Sequence, residues 1–410
     1  MSIATDIKEH RFHDFTVDCA QAAGDAVRTA TVRQISHNFM FGSNIFGLVR
    51  GVEEEERPAY ESLISRLWNF GTLPFYWGRY EPVEGETMES VTLEAARWAR
   101  EHGLITKGHP LCWHTVCADW LMQYDNDTIL AKQLERIRRD VGRFAGLIDM
   151  WDVINEVVIM PVFDKYDNAV TRICNHIGPI ELTLRCFQTA RETNPNAVLL
   201  INDFDLSPDY EQLIERLLDR GCPIDVIGLQ THQHHGYHGV DRTLEVIERF
   251  SRFGKPLHFT ETTILSGHQV PQSVVDLNDY VVDEWPSTPD GEAQQAERVE
   301  EYYKAIFSRP LVQAIVWWDL RDGNWLHAPA GLVRRDFSPK PAYERLERLI
   351  KDEWWLDERE VPIDADKAAR FNGVAGTYEI DCGGRTTRVS LTGERPDASL
   401  DSDRGKEVTA

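Results

Sequence analysis

The 410-residue chain has no apolar run approaching the length of a membrane span, so no helical span is expected. Basic residues are scarce. Against 67 Asp and Glu there are 44 Lys and Arg, and the net charge of −23 argues against nucleic acid or an anionic membrane surface as partner. The opening stretch MSIATDIKEHRFHDF lacks the apolar core of a secretory signal, so a cytoplasmic protein is expected unless the chain was trimmed. The seven cysteines (19, 112, 117, 174, 186, 222 and 382) are odd in number and show no CxxC spacing. Reduced thiols packed as small hydrophobes fit that pattern better than a disulfide framework. FGSNIFGLVR, after the first strand candidate, has no GxGxxG, so nothing indicates a dinucleotide-binding open sheet, and no cofactor is expected.

What the chain does have is one pattern repeated eight times between residues 37 and 352: a short apolar run, a polar loop, then an amphipathic stretch. The strand candidates are 39–45, 71–77, 104–113, 147–155, 197–203, 224–232, 256–262 and 312–320. Helical periodicity marks 91–102, 128–145, 181–193, 208–220, 240–253 and 292–307, and a Pro-initiated helix at 341–351 follows the last strand. Strands that alternate with helices imply a parallel sheet, and eight units of this size predict an α/β fold, the (β/α)8 barrel. That barrel spans 37–352. The N-terminal flank, 1–36, reads as two strands about a turn at Ala23-Gly24-Asp25, a hairpin extension. Within 353–392 the segment GTYEIDCGGRTTRVSL reads as a second hairpin, bent at Gly-Gly. The two flanks are expected to form a small accessory β-element. The polar tail, 393–410, reads as disordered.

In a (β/α)8 barrel the chemistry sits at the C-terminal strand ends. Strand three ends with His109, Trp113 and His114, strand four with Asn155 and Glu156, and strand five with Asn202 and Asp203. Strand six ends in Gln230 and His232, strand seven in Thr260 and Glu261, and strand eight carries Trp317, Trp318 and Asp319. Random solvation would favour Lys, Ser and Gly as much as this set. Two carboxyls that face each other, neutral hydrogen-bonding groups and flat rings are what cleavage of a glycosidic bond needs.

WDVINE resembles the acid/base motif of glycoside hydrolase family 10, best known for β-1,4-xylanases. GHPLCWH, INDFD, IGLQTH, FTE, the Trp pair of strand eight, Trp325 and SPKPAY resemble the family's other motifs in order, over roughly residues 37–350. The resemblance implies Glu156 as general acid/base and Glu261 as nucleophile, 105 positions apart. It also implies a retaining double displacement with the carboxyls about 5–5.5 Å apart. It places Asn155 on the sugar 2-hydroxyl, His232 on the nucleophile, and His109, Trp113, Gln230, Trp317 and Trp325 around the sugar. The expected partner is a carbohydrate, an oligosaccharide or glycoside. HQHHGYH has irregular spacing and no nearby carboxylate or cysteine, so no metal is expected.

Two departures stand out. Where the family carries Glu-Asn-x-Lys-Trp on strand two, this chain reads Leu-Pro-Phe-Tyr-Trp, so Phe75 and Tyr76, with Trp77 beside them, replace groups that grip the glycone. Thr263 stands where the family has an Asp that helps charge the histidine. The first departure predicts a reshaped glycone site and a preference for short substrates; the second leaves the pH optimum open. The alternative readings are a catalytically silent carbohydrate-binding barrel and a metal-dependent hydrolase. A second glutamate and His232 speak against the former, and a first strand without ligands speaks against the latter.

Overall fold

The computed structural model describes residues 2–20, 27–394 and 397–399. Two flanking strands, β1 (Phe12–Asp18) and β2 (Thr29–His37), precede the barrel. Its strands are β3 (Met40–Asn44), β4 (Phe70–Pro74), β5 (Ile105–His109), β6 (Met150–Asn155), β7 (Val198–Asp203), β8 (Val226–Gln233), β9 (Leu257–Ile264) and β10 (Val312–Trp317). All pair in parallel, and β10 closes onto β3. The (β/α)8 barrel read from the sequence is therefore present.

Strand alternation sorts the side chains into two layers. Met40, Phe70, Met150, Leu200, Val226, Ala314 and Val316 form a separate buried cluster that fills the barrel. Phe41, Leu73, Trp151, Ile201, Phe259 and Ile315 belong to the large cluster shared with the helices. The two layers leave little slack. A Cβ on Gly108 would lie 2.2 Å from the Trp151 ring, so β5 needs a glycine there to pass β6.

The helices do more than cover the barrel. Helix Asn126–Arg143 is capped by Asp125, which accepts from the Thr128 amide at 2.8 Å, and its buried face includes Ile129, Ile137 and Val141. Arg136, buried on the same face and paired with Asp140 at 3.3 Å, donates to the carbonyls of Leu111 and Phe75. Gln133 Nε2 adds a third bond, to Leu111 O at 3.0 Å. This helix thereby fixes the backbone that leads to Tyr76 and Trp113.

The flanks form the expected accessory β-element and its C-terminal hairpin, but the N-terminal flank departs from the expected hairpin. A helix, Ile3–Arg11, comes first, and its Arg11 donates to Val312 O at 2.8 Å under the barrel. β1 and β2 do not pair with each other. β1 lies between β12 (Ala368–Val374) and β15 (Asp397–Ser399). β2 lies between β11 (Arg359–Pro362) and β13 (Gly376–Cys382), and β13 turns through Gly383 and Gly384 into β14 (Arg385–Leu391). Phe15 and Val17 of one sheet and Val32, Tyr378 and Ile380 of the other bury into one core, so the two strands face across a sandwich instead of pairing. The proposed turn at Ala23-Gly24-Asp25 lies outside the described residues. The tail corrects a second expectation: Asp397–Ser399 pairs in parallel with Thr16–Asp18, so this part of 393–410 is ordered. All seven cysteines are free and six are buried.

Candidate active site

Two backbone irregularities aim the carboxylates. On β6 the pairing with β7 slips between Asp152 and Ile154, so Asn155 turns inward. On β9 the register slips against both neighbours near Thr260, and Glu261 turns inward in the same way. Bulges of this kind re-aim a side chain at the cost of one ladder position. Glu156 then takes a left-handed backbone, φ 56°, while its amide still donates to Asn202 O at 2.8 Å. A non-glycine residue in that region is strained and persists only where its surroundings fix it.

The two carboxyls are joined through amides. Asn155 Nδ2 donates to Glu156 Oε1 at 3.1 Å, and Asn155 Oδ1 accepts from Asn202 Nδ2 at 2.8 Å. Asn202 Nδ2 also reaches Glu261 Oε1, at 3.0 Å. Gln230 Nε2 bonds Asn155 Oδ1 at 3.0 Å and Glu156 Oε1 at 3.3 Å. A Cβ on Gly228 would lie 2.5 Å from Asn202 Oδ1, so that glycine keeps space for the bridge. Trp113 Nε1 donates to Glu156 Oε2 at 2.7 Å. On the other side, His232 Nε2 lies 3.1 Å from Glu261 Oε2.

The electrostatics of the two carboxyls differ. Burial, then the Glu261 and Asp203 charges, push the Glu156 carboxyl up to about 8, against the opposing pull of the Trp113 and Gln230 donors. Asp203, pushed up to about 7 by burial, accepts from the Val158 amide at 3.1 Å and pins the loop after Glu156. Beneath Glu261, His109 Nδ1 contacts Asp152 Oδ2 at 2.7 Å, and Lys107 Nζ meets the same oxygen at 2.6 Å, all of it buried. Glu261 therefore sits over a charged core network.

Aromatic rings wall the cavity. Tyr76 packs against Phe46 (5.6 Å between centroids), His109 (5.5 Å) and Trp113 (5.4 Å). Trp325 lies 4.4 Å over His232. Its loop is held by Asp319, whose carboxylate accepts from the Trp325 amide at 2.7 Å and from Asn44 at 3.3 Å. Burial pushes the Asp319 carboxyl up to about 6.

Nine of the sequence-read residues meet here: Glu156, Glu261, His109, Trp113, Asn155, Gln230, His232, Trp325 and Tyr76. Two do not. Trp317 is fully buried in the helix-facing layer and donates to Ala330 O at 3.0 Å. Its neighbour Trp318 faces His109 and His232 instead, at 5.3 and 6.2 Å. Trp77 opens a short helix, donates to Glu81 at 3.1 Å and stacks under Arg136, away from the cavity. Phe75 likewise packs outward, on Phe144 and Trp151, so of the two strand-two aromatics only Tyr76 reaches the site. For Trp317 strand parity held the signal: Ala314 and Val316 line the barrel interior, so Trp317 faces the helices and Trp318 falls in the interior register. Asn202, Trp318, Phe46 and Asp319 complete the site. Among the described residues no group of three His, Cys, Asp or Glu side chains is placed to hold a metal.

A parallel eight-stranded barrel whose mouth holds two carboxyls on separate strands, bridged by amides and ringed by aromatics, has the layout that glycoside hydrolysis uses. The sequence profile of Glycosyl hydrolase family 10 matches residues 54–348, and the chain belongs to that family. An endo-1,4-β-xylanase from Geobacillus stearothermophilus is 27% identical over 328 residues, which cover 74% of this chain and 96% of that protein. Endo-1,4-β-xylanase A from Caldicellulosiruptor sp. (strain Rt8B.4) is 26% identical over 287 residues, 64% of this chain and 40% of that longer protein. The chain matches only 29% of the length of endo-1,4-β-xylanase C from Paenibacillus barcinonensis. Among solved structures, xylanase 10B from Thermotoga petrophila, crystallised with xylobiose, superposes with a TM-score of 0.62 at 24% identity, covering 77% of this chain and 95% of that one. A GH10 endoxylanase from a sugarcane-soil metagenome gives 0.63 at 23% identity, with 76% and 97% covered. The flanking sandwich lies outside the matched family segment.

Proposed function

We propose that the protein is a retaining β-glycoside hydrolase acting on β-1,4-xylan-derived or related glycosides. The observation that carries this reading is the unlike setting of two linked carboxyls. Glu156, held up to about 8, keeps a proton at neutral pH to give to the departing glycosidic oxygen. Glu261 is faced by the Asn202 amide and the His232 ring, a setting that suits an anionic nucleophile. Its attack on the anomeric carbon forms a glycosyl ester as Glu156 protonates the leaving group; the Glu156 carboxylate then takes a proton from water, which hydrolyses the ester. Asn155, locked by three hydrogen bonds, would meet the sugar 2-hydroxyl, where the bond tightens as charge develops.

The glycone side is proposed to be divergent. Tyr76, enclosed by Phe46, His109 and Trp113, offers a ring where polymer-cleaving relatives place hydrogen-bonding side chains. That enclosure favours short glycosides over polymer. The test is hydrolysis of aryl β-xyloside and β-glucoside with NMR observation of the first-formed anomer. Release of the β-anomer supports retention; release of the α-anomer, or no turnover on any β-glycoside, refutes the reading.

A further inference from the structure

His232 is not the end of the chain of contacts behind Glu261. Its Nδ1 lies 3.3 Å from Thr263 Oγ1, and the same hydroxyl lies 3.2 Å from His234 Nδ1. Thr263 and His234 are fully buried. His234 Nε2 has no hydrogen-bond partner, and the ring is boxed by Trp325 at 5.1 Å and Trp285 at 6.1 Å. These contacts fix where the protons go. Burial and the neighbouring His232 and His235 push His234 down to about 3, so it is neutral and carries one N–H. A proton on Nε2 would be a buried donor without an acceptor, whereas a bare Nε2 lone pair costs less. The proton therefore sits on Nδ1 and is donated to Thr263 Oγ1. The single Thr263 hydroxyl proton is then free for His232 Nδ1, which must accept. His232 is left with its proton on Nε2, aimed at Glu261 Oε2.

We infer that Thr263 and His234 form a hydroxyl–imidazole relay that holds His232 as a neutral Nε2–H donor to Glu261, and that both are positioning residues for the reaction. The inference rests on the hydrolytic reading only for its kinetic consequence. The titratable groups around His232 are Glu261 on β9, Asp319 beyond β10, and His234 and His235 on its own segment. None of them accepts from Nδ1. A carboxylate at position 263 would accept from it and stabilise an imidazolium. The nucleophile would then meet a cation instead of a neutral donor.

The test has a spectroscopic arm and a kinetic arm, both on the full chain. In the 15N NMR spectrum of histidine-labelled protein at pH 7, His232 should show a protonated Nε2 and an unprotonated Nδ1. Thr263→Ser should keep that tautomer and the wild-type pH–rate profile. His234→Phe, which frees the Thr263 hydroxyl to accept from His232 Nδ1, should mix the tautomers, and both it and Thr263→Val should lower kcat about tenfold with little change in KM. Thr263→Asp should move the acid limb of kcat/KM to lower pH, because an imidazolium beside Glu261 favours its ionised form. A proton on His232 Nδ1 in the wild type, or a His234→Phe enzyme with unchanged tautomer and pH–rate profile, overturns the relay. The predicted tautomer in a protein with no β-glycosidase turnover upholds the relay and removes the hydrolytic reading instead.

Discussion

Glu156 answers to two opposed influences: its surroundings raise its proton affinity, while Trp113 and Gln230 donate to its charged form. The balance can be moved from either side. Glu261→Gln removes a negative charge, so Glu156 should titrate at lower pH, read by 13C NMR of labelled glutamate. Trp113→Phe removes the 2.7 Å donor that favours the carboxylate, so the alkaline limb of kcat/KM should move to higher pH. Linkage gives a stability consequence. The folded state binds this proton up to about pH 8, whereas an unfolded glutamate releases it near about 4.3. Holding Glu156 charged therefore costs stability as pH rises through that window. Glu156→Gln should melt at a higher temperature than wild type at pH 8, and the gap should close by about pH 4.5; equal melting curves at pH 8 would contradict the assignment. Alanine at either glutamate should abolish most turnover with the fold intact. For Glu261→Ala, azide should restore cleavage of an activated aryl glycoside and yield the inverted α-glycosyl azide. Near-normal activity in either alanine variant would sink the pairing.

The elements that present these side chains were legible to different depths. Glu156 and Glu261 could be found because WDVINE and FTE are local, contiguous motifs. Trp317 was misplaced because adjacent aromatics in a strand point to opposite faces, and only the parity of the interior layer says which one enters the cavity; Trp77 was misplaced because β4 ends at Pro74 and Trp77 already belongs to a short helix. The two bulges break that parity at Asn155 and Glu261, a shift set by pairing with neighbouring strands and invisible in either strand alone. The loop after β10 adds a further dependence. Lys340 Nζ is buried against Asp322 Oδ1 (2.6 Å), Ser266 Oγ (2.9 Å) and Gly331 O (2.9 Å), and so ties together the loops that enclose Trp325. Removal of one partner from such a buried ion pair costs about 3–5 kcal/mol, since the other charge is left without compensation. Lys340→Met should lower the melting temperature by several degrees and raise KM more than it lowers kcat. A variant with wild-type melting and KM would show that the clamp does not hold the loop.

At the scale of the whole molecule, the barrel was readable because eight strand–helix units repeat over a length that few other folds share. The sandwich was not. Its strands come from both ends of the chain and pair across more than 300 residues, as Phe12 with Val374 shows. Specificity is the property most dependent on the assembled molecule, because Tyr76 faces rings from two other segments: Phe46 after β3, and His109 and Trp113 at the end of β5. On the proposed reading, in which a ring replaces hydrogen bonds to sugar hydroxyls, each lost bond to a charged donor is worth about 1.5–3 kcal/mol, so a xylose unit there should bind at least about tenfold more weakly. The same ring can stack on a sugar face or on an aglycone. On that reading, short glycosides that place such a group against Tyr76 would gain the contact, and a chain running on past the site would not. The expectation is therefore a higher kcat/KM on the best aryl glycoside or disaccharide than on xylan. Tyr76→Ala should erase most of that advantage by lowering the short-substrate rate. A ladder of mid-length products from xylan, released as fast as product from the best small substrate, would show instead that the cleft is open past Tyr76 and that these rings do not select length.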